Sequence, residues 1–66
     1  MEDAFEVGRQ ISVEFADGEV GDFVVMADDV RGLLARSVRT NAQLFIPWSS
    51  IAAVVFTEDG TTYATA

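Results

Sequence analysis

The stretch from Leu44 to Phe56, LFIPWSSIAAVVF, constrains this chain more than any other. Two short apolar runs, Leu44-Phe45-Ile46 and Ile51-Ala52-Ala53-Val54-Val55-Phe56, flank Pro47-Trp48-Ser49-Ser50. Proline has no N–H to give to a strand ladder and serine favours turns, so this separator breaks the chain. Each run is too short for a helix. Read as strands, the runs do not alternate apolar with polar residues, so both faces carry side chains that favour leaving water. A chain of 66 residues has one core to offer and covers one of those faces. The other face calls for a partner, most simply a second copy of the same chain.

Sixty-six residues make one domain, spanning 1–66, near the lower size limit for folding on a single core. The chain has no cysteine and no histidine, which removes a disulfide staple and the usual zinc ligands. Oligomerisation is the staple that remains. No apolar run approaches the length of a membrane span, and the acidic start Met1-Glu2-Asp3 is unlike a signal peptide. These features predict a soluble cytoplasmic protein without a membrane role. Eleven acids against four arginines and no lysine give a formal charge of −7, which opposes binding to a polyanion. Arg31, Arg36 and Arg39 nevertheless lie close together in the sequence, and a ring can keep a basic lining inside an acidic exterior. The plainer reading of these arginines is solvation of strand edges and a turn.

In chain order, Met1 to Glu6 is expected to fray. Gln10 to Phe15 sets Ile11, Val13 and Phe15 against Ser12 and Glu14, the period-two pattern of a half-buried strand. Asp17-Gly18 predicts a tight hairpin, followed by a strand from Glu19 to Ala27 in which Gly21 marks curvature. Asp28 to Val38 admits two readings. Asp28 can cap a helix with Val30, Leu33, Leu34 and Val38 on one face, although Gly32 inside it costs about 1 kcal/mol relative to alanine. Alternatively, a turn at Asp28-Asp29 leads into a strand from Gly32 to Val38, with a further turn at Arg39-Thr40-Asn41. Beyond Phe56, Asp59-Gly60 is a second hairpin signal, and its Thr-rich flanks with Tyr63 suit a short extra strand or ordered tail, with a plain disordered tail as the alternative.

Asp17-Gly18, Gly21, Asp28, Leu34 and the run Phe45-Ile46-Pro47-Trp48-Ser49-Ser50-Ile51 resemble, in kind and spacing, the two motifs of the Sm-like (Lsm and Hfq) superfamily. The resemblance covers Ile11 to Phe56. It implies an all-β fold: a small, five-stranded, bent antiparallel open barrel of the SH3 type, with the option of a short C-terminal strand. It also implies strand rather than helix for Gly32 to Val38. Finally, it implies homo-oligomeric rings of roughly five to seven copies, closed by the fourth strand of one subunit on the fifth of the next. That seam is the partner the apolar stretch calls for, with Phe45, Val54 and Phe56 as candidate interface residues. The family's RNA-binding residues do not carry over. Its Asn position falls on Arg31 or Gly32 depending on where the count starts, and Pro47-Trp48 replaces its Arg-Gly.

Without His, Cys or Lys, acid–base and covalent chemistry would rest on Asp, Glu, Ser or Tyr63, and no serine has the setting of a nucleophile. The acids Asp17, Glu19 and Asp22, and the pair Glu58 and Asp59, lack the order of a calcium loop and read as turn carboxylates. No catalytic residue, metal or cofactor is expected. Trp48 stands where the resemblance places a binding loop. It can stack a base, at about 1 to 3 kcal/mol, or fill a subunit seam or the barrel end, which is the preferred reading. Two functions follow: a ring-forming structural or interaction module engaging a protein partner, and a degenerate RNA binder using Arg31, Arg36, Arg39 and Trp48. Net charge and the replaced motif residues favour the first.

Overall fold

Six strands carry the described part of the chain. In the computed structural model, which describes residues 5–64, β1 spans Gln10–Phe15, β2 Val20–Asp28, β3 Gly32–Ser37, β4 Gln43–Pro47, β5 Ile51–Phe56 and β6 Thr62–Ala64. A single 3-10 turn at Trp48–Ser50 joins β4 to β5. Every pairing is antiparallel, in one open sheet ordered β4-β3-β2-β1-β5-β6. The architecture is all-β and consistent with a small β-barrel-like fold. The ambiguous stretch is strand and not helix: Asp28 closes β2, a turn follows, and β3 runs to Ser37, with Val30 exposed while Leu33 and Ala35 are buried, a pattern of alternation and not of helical spacing. The extra strand after Asp59-Gly60 is present as β6, making six strands where the core expectation had five.

The sheet encloses one core because each strand presents one apolar face. Ile11 lies between Phe23 and Phe56, Val13 faces Val54, Val25 faces Ala35, and Leu33 faces Ile46. All of these side chains are buried. Register shifts between Val25 and Ala27, and between Glu14 and Phe15, add a residue to one strand of a pair, which is how a ladder bends. Gly21, opposite Val13, leaves room for an aromatic pair: a Cβ there would come within 2.9 Å of the Phe23 ring, which meets Phe15 edge-on. The β1–β2 hairpin turns through Gly18 at φ +95°, a conformation that suits glycine.

Two expectations are corrected by burial. Val54 and Phe56, assigned to a subunit interface, belong to the monomer's own core, because β5 alternates against β1 and sends both side chains inward. The N-terminal arm does not simply fray. Residues 1–4 lie outside the described part, but Phe5 is buried, with its ring centroid 5.4 Å from Trp48, 5.3 Å from Phe56 and 5.4 Å from Tyr63. One aromatic within an acidic segment has no periodicity to announce it, yet it closes one end of the core.

Candidate functional site

The residues that the sequence offers for ligand binding lie at two different places. Arg31 sits in the β2–β3 turn, which is built by Asp29. One oxygen of the Asp29 carboxylate accepts from the backbone N–H of Arg31 at 2.8 Å and of Gly32 at 3.2 Å, and the other accepts from the Arg31 guanidinium at 3.2 Å. The backbone N–H of Arg31, then its guanidinium, hold the Asp29 carboxyl below its ordinary value of 3.8. The turn is tied to the 3-10 turn by Trp48, whose indole N–H donates to the Asp29 carbonyl at 2.8 Å and whose backbone N–H donates to the Arg31 carbonyl at 3.0 Å. Arg31 and Trp48 are thus neighbours. Both are engaged: Arg31 is paired with Asp29, and the half-buried indole packs on Phe5.

Arg36 and Arg39 do not join them. Arg36 lies near the other end of β3, between Val24 and Gln43 on the face away from the core, roughly 16 Å along the strand from Arg31. Arg39 follows β3 in the turn to β4. There it lines an open cleft of about 520 Å³ together with Glu19 and Asp22, surroundings that disfavour an anion. Neither arginine makes an ion pair among the described residues. Arg9, which the sequence leaves apart from the others, is bound instead: its guanidinium donates to Glu58 at 3.2 Å and to Asp59 at 3.3 Å, and lies 4.0 Å over the Phe56 ring. The Glu58-Asp59 pair is therefore an arginine clamp on the β5–β6 turn. Among the described residues no group of three or more carboxylates is placed to hold a metal ion.

The most distinctive surface belongs to β4. Among the described residues this strand pairs only with β3, so its outer edge presents backbone groups without a partner strand there. Phe45 points away from the core and is 47 % exposed; Leu44, on the core side but at the end of the sheet, is 38 % exposed. Along β4 runs an open groove of about 420 Å³, lined mainly by Phe15, Leu44, Phe45, Pro47 and Ser49, with Asp17 as its one ionisable side chain. No family model, curated protein or solved structure matches this chain. The surface must therefore be read from its own chemistry. No charged residue occurs between Arg39 and Glu58, in a chain of net charge −7. Edge strands that remain solitary are usually guarded by charges, prolines or bulges. On β4 only Pro47, its last residue, is of that kind.

The sequence names Phe45 as a candidate interface residue, and it lies partly exposed on the edge strand. The role of Phe5 was not legible in the sequence. The signal for the groove is the uncharged interval itself, which becomes meaningful once β4 is seen at the edge. No helix among the described residues is long and apolar enough to cross a membrane.

Proposed function

We propose that this chain is a non-catalytic, self-assembling interaction module of the cytoplasm: a small Sm-like, SH3-type open barrel that closes rings of roughly five to seven copies. The fourth strand of one subunit joins the fifth strand of the next, and the faces of the ring engage a protein partner. The observation that carries this reading is the unguarded β4 edge, with Phe45 and Leu44 exposed along an apolar groove. Copies of a strongly acidic chain repel one another, and β4 and β5 are strands without a single charge, so contact there costs least. The sheet order leaves β4 at one edge, open to a neighbouring sheet, and puts β6 beside β5 at the other.

Replacing Phe45 with lysine tests the seam. It places an unpaired charge in each interface, at a cost of several kcal/mol per seam, and leaves the core residues untouched. The assembly should dissociate, as read by light scattering coupled to size exclusion. Glu14→Lys, on an exposed position of β1, should leave the mass unchanged. The opposite pattern, with Phe45→Lys neutral and Glu14→Lys disruptive, would put the interface on the wrong strands.

The second reading, a degenerate RNA binder, draws on one observation: the Arg31 and Trp48 turns are joined by two hydrogen bonds. Its test is fluorescence anisotropy with labelled oligo-U and oligo-A at two salt concentrations. Micromolar binding that falls steeply with salt would place RNA binding ahead of a purely structural role.

A further inference from the structure

The outer edge of β5 is already occupied. β6 pairs with it at three positions, Ala53 with Ala64, Val54 with Tyr63 and Val55 with Thr62. The backbone groups that a neighbour's β4 would use are therefore engaged within the same chain. We propose that β6 is a displaceable latch over the assembly edge, exchanged at each seam for β4 of the next copy. This inference rests on the ring reading given above and adds its regulation.

The two competitors for the β5 edge are unequal. β6 is three residues long, and its side-chain anchor is Tyr63, which remains 47 % exposed and meets Phe5 edge-on. β4 is five residues long and brings Phe45 and Leu44, both partly exposed in the single chain. An exchange replaces a short ladder with a longer one and removes more apolar surface from water. The occupant is a second copy and not an unrelated peptide, because β4 and β5 lie in the long uncharged interval between Arg39 and Glu58, where copies of an acidic chain repel one another least.

The attachment of β6 is also graded. The turn preceding it is well held: the Gly60 N–H donates to the Phe56 carbonyl at 2.7 Å, the Phe56 N–H donates to the Thr61 carbonyl at 2.8 Å, and Arg9 grips Glu58 and Asp59. Among the described residues, the strand beyond the turn is held by its three pairings and the Tyr63 contact. Release of β6 can therefore leave the turn in place, so that the latch opens without unfolding the sheet. Because β6 competes at every seam, it raises the concentration at which the ring closes.

Half-assembly concentrations of the full chain and of a chain ending at Thr57, compared by a dilution series in the analytical ultracentrifuge, test the latch. The shortened chain should assemble at about tenfold lower concentration. Tyr63→Ala, which keeps the backbone and removes the contact with Phe5, should shift the midpoint in the same direction; it decides the matter if the shortened chain does not fold. In the assembled full chain, the amide of Tyr63 should exchange faster with deuterium than in the dilute chain. Equal midpoints for all three proteins would overturn the latch and leave the ring intact. A weaker assembly of the variants would show β6 to be part of the seam, and would also overturn the latch. Failure of every form to assemble at any concentration would overturn both the latch and the ring.

Discussion

Gly32 shows how one residue can be required by its neighbours rather than by its own backbone angles. It opens β3 opposite Pro47, and a Cβ at this position would press on the Ile46 carbonyl oxygen and lie 2.8 Å from both Pro47 Cα and Phe45 Cζ. Two of those three atoms are backbone and cannot swing aside. Gly32→Ala should therefore destabilise the fold by about 1 to 3 kcal/mol, the usual cost of overpacking. A urea titration would show this as a lower midpoint at unchanged slope. An unchanged midpoint would mean that β4 can shift away from β3 without penalty. In the sequence, Gly32 weighs against a helix over Asp28 to Val38. That property argued for the right secondary structure, but the close approach of β4 that explains the glycine depends on a pairing between distant parts of the chain.

At the scale of elements, the β2–β3 turn and the β5–β6 turn are each organised by one aspartate. Asp29 accepts from the Arg31 and Gly32 N–H groups, and Asp59 accepts from the Thr61 N–H at 2.9 Å; that backbone bond is the main reason the Asp59 carboxyl also sits below its ordinary 3.8. A carboxyl lowered in the folded state stabilises the fold above its unfolded value, and that contribution is lost as pH falls through the folded one. Both turns should thus be unaffected near neutrality and loosen only below about pH 3.8. Carbon-detected NMR titration of the two side chains should give midpoints below 3.8. Midpoints at or above that value would mean that the carboxylates do not hold the turns.

The strands were largely legible because their signals are local. β1 and β5 have the boundaries that alternation and the Pro47-to-Ser50 break suggest, and Asp17-Gly18 and Asp59-Gly60 both mark turns. Asn41 supports the β3–β4 turn with φ at +64°, a conformation that asparagine tolerates. What stayed hidden depends on contacts between distant residues. Charge counting cannot pair Arg9 with Glu58 and Asp59. Periodicity cannot bury Phe5, and it could not tell which apolar residues of β5 face the core, since the whole strand is apolar. That is why Val54 and Phe56 were assigned to a seam when they belong inside. Of the candidate ligand residues Arg31, Arg36, Arg39 and Trp48, only Arg31 and Trp48 come together, and their bonds are spent on the turn that holds them.

The whole molecule is a sheet with unequal edges. β6 is short and backed by an aromatic contact, whereas β4 is longer, uncharged and flanked by an apolar groove. A small domain with so limited a core gains most by burying such an edge against a copy of itself. The same inequality of edges supports the exchange of β6 for β4 at the seam. The most direct test is the mass of the chain in solution, measured by sedimentation from micromolar to millimolar concentration. The 7.1 kDa chain should give way, as concentration rises, to a single closed species of roughly five to seven copies. A 7.1 kDa species persisting across that whole range would contradict the ring.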